Sequence, residues 1–91
     1  MNDIPDIDFT PVLAAGLKPT DLANLVGIGR VSVSYWLNGH KQPHYLHHDK
    51  VQGIVDAIAA ATESGKLPVP INVMRRERAH YIRRAVAKTG R

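Results

Sequence analysis

The chain has 91 residues, no cysteine, 44% hydrophobic residues and a formal net charge of +4. That length has room for one core but not two. The hydrophobic share excludes wholesale disorder, and the missing cysteines exclude disulfides and thiolate zinc sites.

The opening "MNDIPDIDF" has neither a basic lead nor a long apolar run, so no signal peptide is expected. With Asp3, Asp6 and Asp8, the first eight residues read as an acidic, poorly ordered lead-in. A first helix is expected from Phe9 to Ala15, capped by Asp8, with Pro11 in its first turn and Gly16 at its end. A second helix runs from Pro19, whose missing N–H costs nothing at that position, to Val26, and stops at Gly27. A third spans Arg30 to Leu37 and is closed by Asn38-Gly39. Next comes a long amphipathic pattern from Tyr45 to Ser64. Val51, Ile54, Val55, Ile58 and Ala61 fall at helical intervals, and Gly65 ends it. "KLPVPINV" has two prolines two residues apart and reads as extended chain. A last helix is expected from Val73 to Lys88, capped by Asn72, with Met74, Tyr81, Ile82, Ala85 and Val86 on its apolar side. The expected fold class is all-α with five helices. A compact module covers residues 1–66; residues 67–91 form an extended linker and an accessory basic helix, flexible or dimerising.

Charge is unevenly placed along this plan. Residues 1–71 hold five Lys/Arg against seven acids, whereas residues 72–91 hold seven against Glu77 alone. Basic segments of this kind are the footprint of polyanion binding, although a charged terminal helix can also be merely solvated.

Two short helices pivoting on a glycine are the plan of a helix-turn-helix. The plan needs a small residue inside the first helix, a turn residue that accepts positive φ, and apolar residues on both facing sides. Ala23 and Gly27 meet the first two needs, and Leu22, Val26, Ile28, Val33 and Trp36 meet the third.

The stretch "GLKPTDLANLVGIGRVSVSYWLNGHKQP" resembles the Cro/repressor (Xre-type) helix-turn-helix family of phage and bacterial transcriptional regulators. Gly16-Leu17, Leu22-Ala23, Gly27, Trp36, Asn38-Gly39 and Pro43 match that pattern in order, and the resemblance covers about Phe9 to Leu46. Departures are Lys18 where Thr caps the second helix, Gly29 where Ser caps the third, and Leu37 where Glu follows Trp. The resemblance implies a lambda-repressor-like domain, phage- or prophage-derived, in which Ala23, Gly27, Val33 and Trp36 build the motif. The outward face of the third helix then enters the major groove. Carried over position by position, Arg30, Val31, Ser32, Ser34 and Tyr35 are the base-contacting candidates. Arg30 is placed for guanine and Val31 for a thymine methyl. Thr20, Asn38, His40 and Lys41 are phosphate candidates, joined from the basic tail by Arg75, Arg76, Arg83 and Arg84.

The implied function is a sequence-specific DNA-binding regulator acting on double-stranded DNA as a homodimer over a pseudo-palindromic operator, in a bacterial or phage-infected cytoplasm. The apolar stripe of the long helix is the expected dimer surface. Two alternatives remain open. One is a protein-binding helix-turn-helix module that inhibits another regulator. The other is an antitoxin whose basic C-terminal helix grips a protein partner. His40, His44, His47 and His48 lie close together, and His44 and His48 could offer i, i+4 ligand spacing on a helix, but no acidic or cysteine partner stands at ligand spacing except Asp49, so no metal or other cofactor is expected. No phosphate-binding glycine loop, cysteine nucleophile or serine with a plausible base is present, so no enzymatic activity is expected. No window nears the ~20 apolar residues of a membrane span, and no membrane contact is expected.

Overall fold

The computed structural model describes residues 5–89, and every regular element among them is helical. Helix α1 spans Thr10–Ala14, α2 Pro19–Val26, α3 Arg30–Leu37, α4 His48–Glu63 and α5 Arg78–Thr89. Single 3-10 turns at Tyr45–His47 and Arg75–Glu77 lead into α4 and α5.

The helix starts follow local chemistry. Phe9, not Asp8, occupies the cap of α1. Asp8 still serves that end, because its Oδ1 accepts the Thr10 hydroxyl at 2.6 Å and the Thr10 N–H at 2.9 Å. Those two bonds, the hydroxyl's first, hold the Asp8 carboxyl below its ordinary range. Lys18 caps α2 in extended conformation, and Asp21 Oδ2 accepts the Lys18 N–H at 2.8 Å. Helix α2 ends at Gly27, whose φ of +74° would strain any residue with a Cβ and whose N–H reaches Ala23 O at 2.9 Å.

Helix α4 is the central element and packs against α1, α2 and α5. Val51, Val55, Ile58 and Ala61 recur along one of its sides, and all four are buried. The stripe expected to face a second copy is thus consumed inside the protomer. It meets Val12, Leu22 and Val26 from the N-terminal half and Leu67, Ile82, Ala85 and Val86 from the C-terminal part, in one continuous cluster.

Two further expectations are corrected. Within the acidic lead-in Ile7 is buried, and Gln42 holds it by two hydrogen bonds to its backbone, while Pro5, Asp6 and Asp8 stay exposed. Asp3 lies outside the described residues. The last helix begins at Arg78, five residues later than its apolar period suggested. Val73 N–H is bound back to Pro70 O in a turn, so Asn72 does not cap a helix, and Met74 is 53% exposed.

The start of α5 is fixed by charge. The Arg78 guanidinium donates to both oxygens of Asp21, through Nη2 at 2.9 Å and Nε at 3.3 Å, and Nη2 also reaches Gly16 O at 3.3 Å. This forked contact raises the Arg78 pKa against the opposing effect of partial burial. Arg78→Ala will lower stability by about 1–2 kcal/mol in urea unfolding, by the loss of charge-assisted bonds. Asp21→Ala, which strips both Arg78 and the Lys18 amide of their acceptor, will cost more, about 2–4 kcal/mol. A double variant whose loss equals the sum of the two single losses would refute the coupling.

Candidate nucleic-acid interface

The side of α3 facing its neighbours is apolar, and its other side is not. Val33 is fully buried and Trp36 is 6% exposed, with the indole stacked on the Phe9 ring at a 6.0 Å centroid distance. One step around the helix, Val31 is 64% and Tyr35 44% exposed. A bare valine and tyrosine on a helix whose other apolar groups are packed form the kind of exposure that a contact surface requires.

A shallow groove of about 490 Å³ lies between the start of α2 and the outer face of α3. Arg30, Val31, Ser34 and Tyr35 line its α3 side, and Lys18, Pro19 and Thr20 line its α2 side. Two cations, three hydroxyls and one branched apolar side chain are brought together without an acid. Ser34 is half-buried, whereas Arg30, Ser32 and Thr20 are exposed. Such a set supplies a forked donor, hydroxyls that donate or accept, and a methyl-sized contact. Its net positive charge is that of Lys18 and Arg30 alone.

The edge of this groove is tied to the loop after α3. The Lys41 ammonium lies 5.5 Å from the centre of the Tyr35 ring, and the His40 ring meets Tyr35 edge-on at 6.3 Å. His40 N–H reaches Tyr35 O at 2.9 Å, after Gly39 turns the chain with φ of +78°. Asn38 caps α3, donating its N–H to Ser34 O, and its side chain is exposed. At the other end Gly29 caps α3 without any side-chain bond, so the first amides of α3 remain open donors. Ala23 is half-buried against the core, and Gly27 makes the tight turn between α2 and α3.

The basic candidates of the C-terminal part do not form one surface. Arg83 lines a small groove between α2 and α5 with Asp21, Asn24 and Leu25. Arg84, one residue and about 100° further round, lines a different cleft with Arg76 and Lys66. Arg75 is exposed on the turn before α5. Sequence reasoning missed Arg78 and gave Lys18 only a capping part. The ion pair of Arg78 spans 57 residues, and no periodicity announces it. The histidines are dispersed in role. His44 Nδ1 accepts the Leu46 N–H at 3.2 Å, and His48 Nε2 lies 2.9 Å from Pro5 O. Among the described residues no three His, Asp or Glu side chains are grouped to hold a metal ion.

Comparison with family models, with curated proteins and with solved structures finds no match to this chain. Among the described residues no helix is long and apolar enough to cross a membrane.

The inward and outward sides of α3 should separate cleanly on substitution. Trp36→Ala will cost about 3–5 kcal/mol in denaturant unfolding. Val31→Ala and Tyr35→Ala will each stay within about 0.5 kcal/mol of the parent, as expected for exposed side chains. A large loss at Val31 would mean that its surface is needed for folding and is not held open for a contact.

Proposed function

We propose that this protein is a sequence-specific DNA-binding regulator of the Cro/repressor type, with α2 and α3 acting as a lambda-repressor-like helix-turn-helix. The observation that carries the reading is the outer face of α3, where exposed Val31 and Tyr35 share one groove with Arg30, Ser34 and Thr20. In this reading α3 lies in the major groove. Arg30 forks onto a guanine, Val31 packs on a thymine methyl, and Ser32, Ser34 and Tyr35 reach neighbouring edges. Thr20 and Lys18 at the start of α2, with Asn38, His40 and Lys41 after α3, hold the flanking phosphates. Arg83 extends that grip along α2, being an exposed α5 arginine beside this helix that is not engaged by Asp21 as Arg78 is.

One module of this size buries little surface, so a homodimer on a pseudo-palindrome is proposed, with half-sites about 34 Å apart. Its contact between copies uses surface other than the α4 stripe, which is already buried. Site preference comes from α3 and affinity from several phosphate contacts, so binding will weaken steeply with salt as counterions are released.

The test is selection of duplexes from a random pool at low salt, followed by affinity measurement over a salt series. Enrichment of one two-fold motif is expected, with affinity falling linearly as the logarithm of salt rises. Arg30→Ala will cost about 1–3 kcal/mol and relax preference at one base pair of each half-site. Lys41→Ala will weaken all duplexes alike and reduce the salt slope by about one phosphate contact. Absence of any enriched duplex at low salt would end the proposal. Substitution is the proper probe of Arg75 and Arg83, because truncation before α5 also removes Ile82, Ala85 and Val86 from the core.

A further inference from the structure

The flank of α5 turned away from α2 carries a second concavity. An open cleft of about 610 Å³ lies between α5, the turn before it and the chain near Lys66 and Val73. Its floor is apolar: Val73 and the Tyr81 ring are half-buried, and Ala85 is buried beneath them. The Tyr81 hydroxyl donates to Lys66 O at 2.7 Å, which fixes the ring as a wall. Around the rim stand Lys66, Arg76 and Arg84, with His80 and one carboxylate, Glu77. Among the described residues the acid–base contacts are Arg78 with Asp21 and His48 with Asp49, so the three rim cations have no ionic partner.

The volume lies within the ~300–1,000 Å³ usual for small-molecule sites, and an apolar floor with a few charged groups is their usual lining. Charge decides between the possible occupants. A second copy meeting this cleft with its own C-terminal part would bring another segment with seven Lys/Arg and one acid against this one, and like charges juxtaposed at an interface are costly. A duplex backbone offers strongly hydrated phosphates but nothing to cover Val73 and Tyr81. An organic anion satisfies both parts, laying its apolar body on the floor and its carboxylate between guanidiniums that bind such groups in a forked geometry.

We infer that the cleft formed by Lys66, Val73, Arg76, Tyr81 and Arg84 is a binding site for a small carboxylate with an aromatic or aliphatic body. The site is independent of whatever α3 contacts, so DNA affinity is not its readout. Two-dimensional amide NMR of the full chain at about 150 mM salt, where exposed charges are well screened, tests it. The probes are naphthalene-2-carboxylate and its neutral carboxamide.

The carboxylate will shift the amides of Val73, Arg76, Tyr81 and Arg84 in a saturable way, and the carboxamide will bind about tenfold more weakly, as loss of a charge-assisted contact demands. The double variant R76E/R84E will lose about tenfold or more in carboxylate affinity. V73W, which fills the floor without altering charge, will abolish the shifts while the spectrum stays that of a folded chain. Equal binding of carboxylate and carboxamide, or binding unchanged in both variants, would overturn the site. So would a short duplex, in place of the carboxylate, shifting these same amides, since the rim arginines would then be phosphate contacts.

Discussion

Asp21 is the one charged side chain that folding withdraws from water among the described residues, at 8% exposure. Burying a carboxylate is costly unless its oxygens are satisfied. Asp21 is satisfied from two directions, by the Lys18 amide at the start of α2 and by the Arg78 guanidinium at the start of α5. The α2 dipole favours a negative charge there as well. The cost of burial is thereby converted into a geometric condition: α2 can begin where it does with its carboxylate buried only if α5 is docked. The same guanidinium reaches Gly16 O, so the end of α1 joins the same cluster.

That condition explains how a helix rich in arginine comes to be part of a compact fold. The inner side of α5 adds Ile82, Ala85 and Val86 to the core that α4 organises. Its two remaining flanks are different environments, one beside α2 and the other over the cleft with Lys66. The basic character of the C-terminal part is therefore divided three ways, between an internal ion pair, a flank adjoining the proposed reading helices and the rim of a separate concavity. Meanwhile the outer face of α3 has little charge. The proposed reading face and the positive charge belong to different elements, and Asp21 and Arg78 connect them.

Much of the helical plan was legible because it rests on local chemistry. Glycines at 16, 27, 39 and 65 all have positive φ, and each marks the chain just past a helix. The helical period separates Val33 and Trp36 from Val31 and Tyr35 on α3, and the resemblance implied which pair turns inward; Val33 and Trp36 are the buried pair. The apolar stripe of α4 was equally plain, but its partner was not. Periodicity states that a face is apolar without stating what covers it, and α5 covers part of what a second copy was expected to cover. The start of α5 was misread because the apolar period continues back through Met74, whereas the chain makes a turn closed by Val73 N–H and Pro70 O and then a 3-10 turn at Arg75–Glu77. The lead-in at Ile7 was misread for a related reason. Its acidic neighbours suggested solvation, and the two hydrogen bonds it exchanges with Gln42 span 35 residues.

The stacking of Trp36 on Phe9 has an optical consequence. The chain has one tryptophan, and it lies on the buried side of α3, stacked on the only phenylalanine. Indole emission therefore reports on a narrow region, the seating of α3 against the N-terminal segment, without contribution from another indole. The C-terminal part has its own chromophore in Tyr81, whose phenol is bound to the Lys66 carbonyl across the cleft. Tyr35 in the groove beside α3 and the exposed Tyr45 share the tyrosine signal with Tyr81, so the single indole is the one intrinsic marker whose origin is unambiguous.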